Sequence, residues 1–85
     1  MDSDYEATVN VSHGMVRLFV MFSGIQSVNY FRREAIESIL AVKLRDSIGC
    51  EISIKLGDHD LLEVLVPSID EANEIINSIL SICVS

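Results

Sequence analysis

At Pro67-Ser68 the hydrophobic period of the chain changes from two residues to about 3.6, which marks the junction of a strand and a helix. Upstream, Cys50-Glu51-Ile52-Ser53-Ile54-Lys55-Leu56 alternates without a fault, so Cys50, Ile52, Ile54 and Leu56 share one face of a strand. Gly57-Asp58-His59-Asp60 reads as a turn, because Gly accepts positive φ and Asp bonds its own backbone. Leu62, Val64 and Val66 then line one face of a second strand, with Leu61, Glu63 and Leu65 on the other. Pro67 has no N–H to donate and ends the ladder. Downstream, Ser68-Ile69-Asp70-Glu71 is a capping box. Helical spacing puts Ile69, Ala72, Ile75, Ile76, Ile79, Leu80, Ile82 and Cys83 on one arc, with Ile76 at its centre. Asp70, Asn73, Glu74, Asn77, Ser78 and Ser81 occupy the opposite side.

The N-terminal part reads as a hairpin. Tyr5, Ala7, Val9 and Val11 alternate with Glu6, Thr8, Asn10 and Ser12, and His13-Gly14 suits a primed turn before a strand from Met15 to Phe22. That second strand is apolar on both faces: Val16, Leu18, Val20 and Phe22 on one, Met15, Phe19 and Met21 beside Arg17 on the other. Such a strand is covered on both sides. One helix covers only part of a sheet, so Met15, Arg17, Phe19 and Met21 are the expected interface of a homo-oligomer.

Ser23-Gly24 marks a turn, and Ser27 to Phe31 a short extended piece. A helical turn is expected near Arg32–Ser38. A strand from Ile39 to Arg45 follows, with Leu40, Val42 and Leu44 on one face and Ala41, Lys43 and Arg45 on the other. The expected fold is α+β: an antiparallel β-sheet, made of an N-terminal hairpin plus a three-strand meander, with a C-terminal amphipathic helix packed on one face. A chain of 85 residues makes this a single small domain over residues 1–85.

Hydrophobic content of 49% is enough for a core and argues against disorder. Cys50 and Cys83 both fall at core positions and read as reduced thiols. The run Met15 to Phe22 is too short to span a bilayer, and the acidic Met1-Asp2-Ser3-Asp4 is unlike a signal peptide. A cytoplasmic protein without membrane contact is the expectation.

Net charge is −7 and unevenly placed. All six basic residues (Arg17, Arg32, Arg33, Lys43, Arg45 and Lys55) lie between positions 17 and 55, whereas Asp58, Asp60, Glu63, Asp70, Glu71 and Glu74 follow with no Lys or Arg. Such a molecule repels duplex nucleic acid and favours a protein partner with a basic surface.

Motifs for catalysis are missing. The four glycines are isolated, both histidines fall in expected turns, and no nucleophile elbow or paired-cysteine spacing occurs. Neither an enzyme nor a cofactor is expected. Asp58-His59-Asp60 offers three ligands on one turn, but turn chemistry accounts for both Asp residues and no metal is expected.

Two functional readings result. The first is a non-catalytic interaction module, an acidic oligomeric adaptor, regulator or inhibitor that docks on a basic partner through Asp58, Asp60, Glu63, Asp70, Glu71 and Glu74. The alternative is a small-ligand binder holding an anionic nucleotide-like metabolite near Tyr30-Phe31-Arg32-Arg33, where aromatic rings stack on a base and guanidinium groups hold phosphate.

Overall fold

Two primed turns define the first half of the chain. His13 and Gly14 have φ of 55° and 77°, and Ser23 and Gly24 have 57° and 79°. Positive φ at both centres matches the right-handed twist of the strands that each turn joins. The structure, a computed structural model, describes residues 5–45, 49–57 and 60–82. In it the turns connect β1 (Tyr5–Ser12), β2 (Met15–Phe22) and β3 (Ile25–Phe31) into one antiparallel sheet. The ladders run from Tyr5 opposite Phe22 to Ser12 opposite Met15, and from Phe22 opposite Ile25 to Val16 opposite Phe31. The expected hairpin therefore gains a third strand, which begins at Ile25 rather than Ser27.

A short 3-10 turn, Arg33–Ala35, leads into the second sheet: β4 (Ile36–Lys43), β5 (Cys50–Leu56) and β6 (Asp60–Val66). This is the expected meander, with β4 starting three residues earlier and stopping short of Leu44 and Arg45. The Leu44 N–H donates to the Gly49 carbonyl at 3.4 Å across the connection. The register slips between Ile36 and Ser38, where β4 advances two residues against one of β5. That bulge lets Ile36 and Ile39, three positions apart, both pack on the core. It also decides which face of β4 is inward: Ile39 and Ala41 pack, while Leu40 and Val42 are exposed.

The inner faces and the helix α1 (Ile69–Ser81) enclose one core. Val16, Leu18 and Val20 of β2, Phe31 of β3, Cys50, Ile52 and Ile54 of β5, and Val64 and Val66 of β6 are buried, with Ala72, Ile75 and Ile79 of α1. β2 meets β6, and the helix packs on β1, β4, β5 and β6. Among the described residues no polar or charged residue is buried. Cys50 is a buried free thiol; Cys83 lies outside the described residues. No described helix is long and apolar enough to cross a membrane.

The helix starts as its capping box requires. The Ser68 hydroxyl accepts from the Glu71 N–H at 3.4 Å. The Glu71 carboxylate in turn accepts from the Ser68 hydroxyl, rather than from the Ser68 backbone. The buried stripe is narrower than the apolar arc: its centre is Ala72, Ile75 and Ile79, Ile76 is half-buried, and Ile69 and Leu80 are exposed. A helix resting on strands buries one line of side chains, and the margins of a wide arc turn to solvent.

Three substitutions test this phase. Ile79→Ala should cost about 2–5 kcal/mol in chemical denaturation, and Ser68→Ala about 0.5–2 kcal/mol. Ile69→Ala should stay within about 0.5 kcal/mol of the parent. Equal losses at Ile69 and Ile79 would contradict the helix orientation.

Candidate interaction site

The acidic residues fall into two groups. Asp60 opens β6 and Glu63 projects from the outer face of the second sheet, both exposed. Asp70 and Glu74 are exposed on the first turns of α1, and Glu71 beside them is half-buried through its bond to Ser68. Asp60 stands at the far end of β6 from the helix start, and a seven-residue strand spans roughly 20 Å. The two groups therefore do not converge on one point. Asp58 and His59 lie outside the described residues. Residues 60 to 82 contain no Lys or Arg.

The helical group borders a cleft of about 180 Å³ between β1 and α1, lined by Tyr5, Ala7, Val9, Glu74, Ile75 and Ser78. Strand alternation brings Tyr5, Ala7 and Val9 to the side of β1 that the helix covers. Tyr5 is further held by an edge-on contact with Phe22, its ladder partner, at 6.4 Å between ring centroids. Partial burial, and then the carboxylates of Glu71 and Glu74, raise the Tyr5 phenol above its ordinary pKa of 10.0. The cleft is smaller than a typical small-molecule pocket of roughly 300 Å³ or more. Its apolar floor and its rim of phenol and carboxylate suit a long side chain with an apolar stem and a cationic end.

The Tyr30–Arg33 tetrad is dispersed. Phe31 is buried, Tyr30 points outward across from Arg17 of β2, and Arg32 pairs with Glu34 at 3.7 Å on an exposed surface. Arg33 has a different task. Its Nε donates to the Ile79 carbonyl at 3.2 Å and its Nη2 to the Leu80 carbonyl at 2.6 Å. The guanidinium thus meets the negative end of the helix dipole from 46 residues upstream. The last turn of α1 carries no basic residue of its own. That gap is the sequence signal of a cap supplied from elsewhere.

On the outer face of the first sheet Met15, Arg17, Phe19 and Met21 are each half-buried. Phe19 lies between Thr8 and Val28, Arg17 between Asn10 and Tyr30, and Met21 between Glu6 and Gln26. The Arg17 guanidinium sits 5.9 Å from the Phe19 ring centroid, and Gln26 Nε2 is 3.7 Å from Met21 Sδ. This apolar face is partly shielded by its own neighbours, and exposed Val28 and Tyr30 carry it on to β3.

Among the described residues no three His, Cys, Asp or Glu side chains gather as a metal-binding group. No protein-family model, curated protein or solved structure matches the chain.

Two measurements test the surroundings of the helix. Arg33→Ala should destabilise the protein by about 1 kcal/mol through loss of the C-terminal cap. The Tyr5 phenol is neutral in the folded state to a higher pH than in the unfolded chain. Its contribution to stability is therefore complete below pH 10 and lost as pH rises through the folded value. An ultraviolet absorbance titration should show Tyr5 ionising late, and Glu74→Gln should bring it closer to the ordinary value. An unchanged titration would separate Glu74 from the phenol.

Proposed function

We propose that this protein is a non-catalytic interaction module that docks on a basic protein surface, and that its copies associate through the first sheet. The observation that carries the reading is the cleft between β1 and α1. There Glu74 and Tyr5 rim an apolar floor, and Asp70 is exposed one turn earlier on α1. An arginine or lysine of a partner lays its stem on Ala7, Val9 and Ile75 and its charge against the carboxylates. Asp60 and Glu63, on the other group, steer the approach through the long-range field. Residues 60 to 82 add no Lys or Arg to that field; of the cations nearby, Arg33 is tied to the helix carbonyls and Lys55, across from Leu61, pairs with Glu37. A nucleotide-like ligand is less favoured, because Phe31 is buried and Arg33 is committed.

The test compares variants that change net charge equally. Asp70→Lys with Glu74→Lys, and Asp60→Lys with Glu63→Lys, each add the same charge. Binding to a fluorescent arginine-rich peptide is read by anisotropy over a range of salt. The helical pair should weaken binding at least several-fold more than the strand pair, which should mainly slow association. Equal weakening by both would reduce the effect to net charge and remove the cleft as a site.

A further inference from the structure

The free edge of β3 differs from every other strand edge of the protein. β3 alone among the six strands has no charged residue: Ile25-Gln26-Ser27-Val28-Asn29-Tyr30-Phe31. It also lacks proline and a bulge, the devices that blunt edges against pairing. β1 and β4 touch the helix and carry Glu6, Glu37 and Lys43, and β6 carries Asp60 and Glu63. β3 is at the margin of its sheet, bonded to β2 on one side only.

Which backbone groups face outward follows from the turn. A two-residue hairpin makes its flanking pair, Phe22 and Ile25, exchange both N–H···O bonds. Ile25, Ser27, Asn29 and Phe31 then bond to β2, and Gln26, Val28 and Tyr30 direct N–H and C=O away from the sheet. These three residues are exposed, Val28 at 45% and Tyr30 at 55%. No described backbone bond occupies their outward groups.

We infer that this edge is where a second copy of the chain adds, antiparallel, with Val28 opposite Val28 on a two-fold axis. This gives the self-association proposed above a geometry: strand addition at an edge rather than packing of the Met15–Met21 faces. Two features of the strand select a second copy. In this register Val28 pairs with Val28, and Gln26 with Tyr30, so every outward N–H and C=O meets a partner. The molecule carries −7 and repels its like over most of its surface, but β3 brings no charge to the contact. The two sheets become one six-stranded sheet, and Phe19 and Val28 of both copies form a continuous outer row.

Sedimentation velocity and amide hydrogen exchange test the pairing. The parent protein should sediment as a dimer, and the Gln26, Val28 and Tyr30 amides should exchange slowly when concentrated and faster on dilution. Val28→Lys, which sets two ammonium groups face to face, and Val28→Pro, which removes an outward N–H, should each halve the mass with an unchanged circular dichroism spectrum. Phe19→Lys should leave the dimer in place. A monomeric parent with fast exchange at all three amides overturns the inference and leaves the edge to a strand of another protein. Dissociation by Phe19→Lys but not by the Val28 variants overturns it in favour of face packing. Binding of the arginine-rich peptide is a separate readout: its failure leaves the dimer untouched, and the monomeric variants should still bind.

Discussion

Everything in this molecule depends on the mutual burial of two three-stranded inner faces. Val16, Leu18, Ile52, Ile54, Val66 and Ile79 are all fully excluded from water, and none has a polar neighbour within the core that needs a partner. Apolar burial contributes roughly 25 cal/mol per Å². Fully buried branched side chains therefore supply the stability of a domain this small. Because the core uses no charge, the surface charges are free of structural duty, with a few exceptions around the helix.

Those exceptions are instructive. The two ends of α1 are satisfied by different means. Ser68 and Glu71 close the N-terminus locally, whereas the C-terminal carbonyls receive the guanidinium of Arg33 from the connection between the sheets. Asp70 also suits the positive end of the dipole, so stability partly accounts for it. Glu74, one turn further on, gains little from the dipole and faces the β1 cleft instead. The line between structural and available charge thus falls within a single turn of helix.

Much of the architecture was legible because strand and helix periods in this chain are clean. The flawless alternation of Cys50–Leu56, the proline at 67 and the serine cap gave β5, β6 and α1 almost to the residue. β3 was only half visible. Ser23 is an uncommon residue for φ near 57°, so the second primed turn lacked the Asn or Asp that usually announces it. For β4 the alternation offered Leu40 and Val42 as an apolar face, and a bulge at Glu37, which no local pattern reveals, turned Ile39 and Ala41 inward instead. The width of the helical arc overstated its burial for the same reason: periodicity gives a direction, but neighbouring strands decide how much of it is covered. Arg33 belongs by sequence to an aromatic–arginine tetrad, whereas its partners are the carbonyls of residues 79 and 80, a contact signalled only by the lack of a basic residue in the last turn of α1.

The paired primed turns also govern how the chain acquires its shape. Two residues separate β1 from β2, and two separate β2 from β3, so the first sheet closes only very short loops. The second sheet is again a meander of adjacent strands. Loop-closure entropy grows with the length enclosed, and topologies of this kind sit among the low-contact-order β arrangements. The long-range cost falls on two events: the packing of β2 against β6, and the docking of α1 across β1, β4, β5 and β6, which joins residues near the two ends of the chain. Until those contacts form, the two sheets are linked by only one short segment, Arg32–Ala35, and the helix acts as the fastener that reinforces the β2–β6 packing and makes two local folding problems cooperative.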